Sequence, residues 1–103
     1  MIRVAVTGYL GRMGSEVVRA VTAEQDMEVV AKIEVGDDLA ASLDASKAQV
    51  MVDFTVPETA FSNIMTALNC GVIPVVGTTG LTTQQLASLD LKSREVGVPV
   101  LVI

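Results

Sequence analysis

Three glycines follow one another at intervals of three residues near the start of the chain, at positions 8, 11 and 14 of the segment GYLGRMG. Gly8 would allow a tight turn, Gly11 would let a pyrophosphate approach the backbone without meeting a Cβ, and Gly14 would let a following helix pack closely. If that helix begins near Arg12, its first N–H groups and the positive end of its dipole face the phosphates. The segment therefore predicts a loop that binds the pyrophosphate of a dinucleotide, and a glycine turn without a ligand is the alternative.

An acidic residue stands where a dinucleotide-binding segment needs one. The spacing G-x-x-G-x-x-G differs from the commoner G-x-G-x-x-G and is a weak signal alone. Glu34, however, lies 20 residues beyond Gly14 at the end of an apolar stretch, where a carboxylate can accept hydrogen bonds from the adenosine ribose. A carboxylate there favours NADH, while Lys32 and Arg12 leave NADPH open because a cation could bind its 2′-phosphate. A solvated residue at a strand end is the alternative for Glu34.

Apolar stretches and helical patterns alternate along the chain and would position these residues. Five stretches rich in β-branched residues predict strands at residues 2–7, 28–33, 50–54, 72–76 and 98–103. Apolar residues at helical spacing predict a helix after the glycine loop, a second from Pro57 to about residue 70, and a weaker short one within residues 39–48. A further helix is predicted from Thr82 to Val96, because Thr82 and Gln85 have the spacing of a capping box.

This alternation predicts an α/β domain. Strands that are joined through helices form right-handed crossovers, so the strands should be parallel and the helices should cover both faces of the sheet. We therefore expect one domain over residues 1–103 with a Rossmann-like open parallel sheet of about five strands, which binds its ligand at the carboxyl ends of the strands. Because the sequence stops inside an apolar stretch, we also expect it to be one domain of a longer protein.

The composition excludes several functional classes. The chain has 103 residues, of which 50% are hydrophobic, and a net charge of −5 without a basic patch, so nucleic acid is not expected as the main partner. No apolar stretch reaches the roughly 18 residues of a membrane span, and the N-terminus does not resemble a signal peptide, which predicts a soluble cytoplasmic protein. The chain has no histidine, and Cys70 is its only cysteine, which excludes an internal disulfide, a cysteine cluster for zinc and histidine acid–base catalysis.

Two further motifs follow the third and fourth predicted strands. They are DFTVP at residues 53–57 and VVGTTG at residues 75–80. Together with GYLGRMG, and in this order, they closely resemble the N-terminal half of the dihydrodipicolinate reductase family over essentially the whole chain. Small hydroxyl residues ahead of a helix can present N–H groups and oxygens to a polar ligand, while simple helix initiation and an unliganded turn are the alternatives for the two motifs.

The resemblance implies a role in cofactor binding for residues of all three motifs. The first motif would bind the pyrophosphate and adenosine side of NADH or NADPH, and Glu34 the ribose. The second motif would border the cofactor, and the third would approach the nicotinamide ribose and the substrate. The implied cofactor-binding residues are Gly8, Tyr9, Leu10, Gly11, Arg12, Met13, Glu34, Phe54, Thr55, Gly77, Thr78 and Thr79. Tyr9 stands where the family usually has a small residue, so its ring must point away from the phosphates or the loop must change shape. Asp53 is expected to be structural because it has no visible partner, and no residue is predicted to be catalytic or to bind a metal.

The resemblance also implies an oxidoreductase of lysine and diaminopimelate biosynthesis. The parent enzyme would transfer a hydride from NAD(P)H to the ring of a dihydrodipicolinate precursor and give tetrahydrodipicolinate. In the family, a second domain supplies the substrate-binding basic residues, a histidine and lysine pair for proton transfer, and a sheet that assembles a homotetramer. This chain alone would therefore bind the cofactor without turning over substrate. A stand-alone nucleotide-binding module and the cofactor domain of another dehydrogenase, such as homoserine or aspartate dehydrogenase, are the alternatives.

Overall fold

The computed structural model describes residues 1–103 as five strands and four helices that alternate along the chain. The elements are β1 (Ile2–Thr7), α1 (Arg12–Thr22), β2 (Met27–Ile33), α2 (Leu39–Ser46), β3 (Val50–Asp53), α3 (Pro57–Asn69), β4 (Ile73–Val76), α4 (Thr83–Val96) and β5 (Leu101–Val102). Every predicted strand and helix is present, including the weakly patterned α2, whose start is fixed by a hydrogen bond from Ala41 N to the Asp38 side chain. None of the helices combines the length and the apolar composition that crossing a membrane requires.

All five strands are parallel and lie in the order β2-β1-β3-β4-β5. The chain moves to one side of β1 to form β2 and to the other side to form β3, β4 and β5, so the loops that leave β1 and β3 diverge at the centre of the sheet. In open parallel sheets the ligand crevice lies at this reversal. The predicted Rossmann-like parallel sheet is confirmed, and the glycine loop lies at the reversal because it directly follows β1.

Helices cover both faces of the sheet, but not equally. On one face, α1 packs on Val4 and Val6 of β1. On the other face, α2, α3 and α4 pack on Ala5, Met51 and Val76 of the three central strands. Right-handed crossovers require this arrangement, because only the step from β1 to β2 runs opposite to the other three.

An extra residue in β2 changes its pairing with β1. The two strands pair one to one as far as Val29, but Val30 is skipped and Ala31 pairs with Ala5. An unpaired residue shifts every later side chain of its strand by one position relative to the partner strand. This β-bulge at Val30 therefore sets the position at which Glu34 leaves the sheet.

Strand β3 ends at Asp53, one residue earlier than predicted. The Asp53 carboxylate accepts a hydrogen bond from Thr55 N at 2.9 Å, which turns the chain away from the sheet. Strand β4 begins one residue later than predicted because Val72 N donates to Ala67 O at the end of α3 rather than to a neighbouring strand.

The last strand is also shorter than predicted, since it comprises two residues rather than residues 98–103. Pro99 has no N–H to donate to a strand ladder. Val98 is held by Ser93 at the end of α4, because its N–H donates to Ser93 O at 3.2 Å and its carbonyl oxygen accepts from Ser93 Oγ at 2.6 Å. The chain therefore enters the sheet only at Leu101.

Candidate functional site

The glycine loop makes a tight turn between β1 and α1. Gly8 has a φ of +69°, its N–H donates to Ile33 O at 2.9 Å, and its carbonyl oxygen accepts a hydrogen bond from Gly11 N at 3.1 Å. The same carbonyl oxygen lies so close to Gly14 that a Cβ on Gly14 would overlap it. The turn at Gly8 and the close packing at Gly14 thus have the geometry that the sequence predicts.

The N-terminus of α1 is open beside this loop. Its N-cap is Gly11, no side chain caps its first amides, and no acidic residue lies in its first turn. Helix α3 also has no side-chain cap, but it begins with Pro57, which has no N–H, and carries the acidic Glu58 in its first turn. Asp38 caps α2, and Thr82 and Gln85 cap α4 with the predicted capping box. A Cβ on Gly11 would meet only Gly8 O, at an ordinary contact distance of 3.4 Å. Uncapped amides, a helix dipole and an open approach together suit a phosphate group.

Glu34 leaves β2 beside the glycine loop and forms a hydrogen bond with it. Its Oε1 accepts from Leu10 N at 3.0 Å, and its own N–H donates to Asp37 Oδ2 at 2.9 Å. Lys32 has a different location, because it lines a surface depression with Thr22 of α1 and does not line the cleft that Glu34 borders. The structure therefore brings Glu34, and not Lys32, to the glycine loop.

A cleft of about 120 Å³ opens between the loops that follow β1, β2 and β3. Its walls include Gly8 of the first loop, Glu34 and Asp37 of the second, Thr55 of the third, and Asn63 of α3. Pockets that enclose a drug-sized ligand have volumes of about 300–1,000 Å³. The cleft can therefore enclose one end of a dinucleotide but not the whole molecule.

The loops after β3 and β4 interlock. The Phe54 ring lies so close to Gly77 that a Cβ on Gly77 would overlap it. The Thr78 hydroxyl donates to Thr55 O at 2.8 Å and so joins the loop after β4 to the loop after β3. The motifs DFTVP and VVGTTG therefore depend on each other, because the missing side chain in one makes room for the ring of the other.

A buried carboxylate lies beneath these two loops. Asp53 is completely buried, and its Oδ1 accepts hydrogen bonds from Thr55 N at 2.9 Å and Thr55 Oγ1 at 2.6 Å. The same oxygen lies 3.2 Å from Thr78 Oγ1 and shares that hydroxyl's single proton with Thr55 O, while Oδ2 accepts from Asn63 Nδ2 at 2.9 Å. Sequence reasoning gave Asp53 a structural role without a partner. Two of the three partner residues lie 10 and 25 positions away along the chain, so only the folded arrangement reveals them.

Tyr9 does not face the open N-terminus of α1. Its half-buried ring packs on the apolar cluster of Val4, Val6 and Val21, on the face of the sheet that α1 covers. The bulky residue is thus accommodated by the core, and the approach to Gly11 stays clear.

The other predicted site residues lie on the surface around the loops. Leu10 and Met13 are exposed by 72% and 51%, and Arg12 and Thr79 are exposed as well. Of these four, Leu10 alone forms a hydrogen bond with another predicted site residue, through its N–H to Glu34. The exposed apolar side chains of Leu10 and Met13 thus border the open first turn of α1.

The titratable groups of the chain do not form a metal site, since no three His, Cys, Asp or Glu residues lie close enough together. Burial, and to a smaller extent the negative charge of Asp44, raises the pKa of the Cys70 thiol. Cys70 lies at the C-terminus of α3, at the opposite end of that helix from Pro57 and the candidate site.

Comparison with known proteins points to one family. The family model described as dihydrodipicolinate reductase, N-terminus, matches residues 2–103. The chain is 42% identical to the 4-hydroxy-tetrahydrodipicolinate reductase of Methanobrevibacter smithii, over 84% of this chain and 41% of that protein. It is 51% identical to the protein of the same name from Streptomyces coelicolor, over 86% of this chain and 35% of that protein. The chain therefore spans well under half the length of these relatives.

Solved structures agree with this comparison. The dipicolinate-bound dihydrodipicolinate reductase from Paenisporosarcina sp. TG-14 has a TM-score of 0.89 at 28% identity, over 99% of this chain and 46% of that chain. A biliverdin reductase from Synechocystis sp. PCC 6803, solved with biliverdin and NADP+, has a TM-score of 0.79 at 16% identity, over 98% of this chain and 37% of that chain. The second likeness shows a shared fold alone.

Proposed function

Because the chain belongs to the family of dihydrodipicolinate reductase N-terminal domains, we propose that it is the dinucleotide-binding domain of a 4-hydroxy-tetrahydrodipicolinate reductase. The observation that carries the proposal is the uncapped N-terminus of α1 between Gly11 and Glu34. A pyrophosphate there would accept hydrogen bonds from the first amides of α1 and would be stabilised by the helix dipole. The family match favours this function over a stand-alone nucleotide-binding module and over another amino-acid dehydrogenase.

The adenosine ribose would lie at Glu34, in the cleft between the first three loops. Only Oε1 of Glu34 forms a hydrogen bond within the chain, so Oε2 is available to a ribose hydroxyl. The bond from Leu10 N to Oε1 fixes the carboxylate against the glycine loop before a ligand arrives. A pre-positioned acceptor reduces the ordering cost of binding.

We propose NADH rather than NADPH as the preferred cofactor. The ribose end of the cleft carries two carboxylates, Glu34 and Asp37, which would repel the 2′-phosphate of NADPH. Lys32, one of the two cations that left NADPH open, lies on the side of the sheet that α1 covers, where it does not line the cleft, and Arg12 does not line the cleft either. Charge at the ribose end therefore supports NADH.

The remaining candidate residues would contact the rest of the cofactor. Tyr9, Leu10, Arg12 and Met13 belong to the segment that would follow the pyrophosphate, although the Tyr9 ring itself packs into the core. The loops after β3 and β4, with Phe54, Gly77, Thr78 and Thr79, would border the nicotinamide half, while Thr55 of the loop after β3 also lines the cleft beside Glu34.

The parent reaction would be hydride transfer from the reduced nicotinamide to the dihydrodipicolinate precursor, and the nicotinamide supplies this chemistry when it is bound. The part of the relatives that this chain does not match would form a second domain, which binds the substrate, transfers protons and assembles a homotetramer. Residues 1–103 would then be the cofactor-binding domain of a cytoplasmic enzyme, and a single cysteine without a disulfide is consistent with a reducing compartment.

Calorimetric titration of the 103-residue chain with NADH and NADPH tests the proposal. We expect both to bind and NADH to bind more tightly. Lys32→Ala is the control for Glu34→Ala, because it removes a nearby charge outside the cleft and should leave the ratio of the NADH and NADPH affinities unchanged. Absence of binding heat for both cofactors would refute the function, and reductase turnover by the isolated chain would refute the division of labour between two domains.

A further inference from the structure

Asp53 is a buried acid that none of the proposed cofactor contacts uses. Its residue is 0% exposed, and no lysine or arginine forms an ion pair with it. Burying a carboxylate is costly unless it is hydrogen-bonded, and hydrogen bonds to a charged acceptor are stronger than those between neutral groups. Four hydrogen bonds from hydroxyl and amide donors, of which the one from Thr78 is shared with Thr55 O, therefore have to satisfy the charge of the carboxylate.

These four hydrogen bonds join three separate segments of the chain. Thr55 belongs to the loop after β3, Asn63 to the second turn of α3, and Thr78 to the loop after β4. The backbone reinforces the connection, since Gly77 N donates to Asp53 O at 2.9 Å. Asp53 is thus the common attachment point of both loops that would border the nicotinamide half of the cofactor.

We propose that Asp53 is a positioning residue that fixes the loops after β3 and β4 for the nicotinamide half of the cofactor, an inference that rests on the proposed function. At the adenosine end, Glu34 is fixed by Leu10 N and not by Asp53, whereas Thr55 and Asn63, which hydrogen-bond to Asp53, form other parts of the cleft wall. Loss of the Asp53 carboxylate should therefore affect the two ends of the cofactor unequally.

The test compares NADH with ADP, which shares the adenosine and pyrophosphate groups but lacks the nicotinamide and its ribose. Asp53→Ala removes all four hydrogen bonds to the side chain. We expect the variant to lose at least about tenfold in NADH affinity, equivalent to about 1.4 kcal/mol of binding free energy, and to lose less ADP affinity, because Glu34 and the glycine loop keep their own hydrogen bonds. Asp53→Asn should restore most of the NADH affinity, because an amide oxygen can still accept from Thr55 and Thr78 and the Asn63 amide can turn to pair with the new NH2 group.

Thr78→Val and Thr78→Ser provide a second pair that does not depend on the folding of Asp53→Ala. Valine has the shape of threonine but no hydroxyl, so it breaks the connection between the two loops, whereas serine keeps the donor. We expect a selective loss of NADH affinity for valine and recovery for serine.

The positioning role would be overturned by equal losses of NADH and ADP affinity in both disruptive variants, or by no loss of affinity in either. It would also be overturned if the wild-type chain bound ADP as tightly as NADH. A wild-type chain that binds neither ligand would instead overturn the proposed function together with this inference. The two failures are distinguishable because the first requires a wild-type chain that binds ADP.

Discussion

Gly11 at the N-cap of α1 and Gly14 in its first turn should respond differently to substitution by alanine. Gly14→Ala would place a methyl group on the carbonyl oxygen of Gly8, whereas Gly11→Ala would place one beside the N-terminus of α1 at an ordinary contact distance from that oxygen. We therefore expect Gly14→Ala to lower stability and Gly11→Ala to preserve stability but weaken cofactor binding. Each variant serves as the control for the other.

For Gly14→Ala, the free-energy change combines two opposing terms. Overpacking costs about 1–3 kcal/mol, and the upper half of this range applies because the overlapping atom belongs to the backbone and cannot rotate away. Alanine in place of glycine inside a helix returns about 1 kcal/mol. The net loss is about 1–2 kcal/mol, which for a domain of this size lowers the Tm by roughly 4–16 °C.

For Gly11→Ala, the stability terms nearly cancel. Alanine is a poorer N-cap than glycine by about 0.5–1 kcal/mol, while the reduced entropy of the unfolded chain returns about 0.4–1 kcal/mol. The backbone at Gly11, with φ −75° and ψ 170°, is one that alanine adopts without strain. The new methyl group, however, would occupy the space of the pyrophosphate, so NADH affinity should fall at least about tenfold.

Thermal unfolding followed by circular dichroism, together with NADH titration by calorimetry, measures both effects on the same samples. A Gly11→Ala variant that binds NADH like wild type would show that the pyrophosphate does not approach the backbone there. A Gly14→Ala variant with an unchanged Tm would show that the close approach to Gly8 does not limit the packing of α1.

Three further substitutions test other parts of the site. Glu34→Ala should weaken NADH binding by about tenfold and reduce its preference over NADPH, and an unchanged ratio of the two dissociation constants would exclude the ribose role. Tyr9→Ala should lower the free energy of unfolding by about 1–2 kcal/mol, because the half-buried ring packs on the core, but a large change in NADH affinity would contradict its orientation. Thr82→Ala should cost about 1 kcal/mol by removing the capping box of α4, whereas Thr83→Ala, one position into the helix, should leave the Tm nearly unchanged.

The alternation of apolar stretches and helical patterns was enough to predict the elements and the parallel sheet, because each signal is local. The same holds for the turn at Gly8 and the cap at Thr82, where a few adjacent residues decide the conformation. Strand ends were less predictable, since a pattern of apolar residues encodes neither the hydrogen bond from Ser93 that holds Val98 nor the missing N–H of Pro99, and both shorten β5.

Contacts between distant segments could not be predicted from the residues alone. The partners of Asp53 come from three segments that meet only after the sheet has formed. The location of Lys32 was also missed, because simple alternation along β2 places it on the same face as Glu34, whereas the structure gives the two residues different surroundings.

The skipped residue in β2 has a consequence for finding such domains in genomes. Removal of Val30 would leave the strand regularly paired and would keep the acidic residue at the same place in space, but only 19 residues after Gly14, one fewer than the 20 seen here. A search template that fixes the offset between the last glycine and the acid would then discard a working domain. Aligning β2 with its partner strand β1 locates the acid at the position of Glu34 more reliably than counting residues from Gly14.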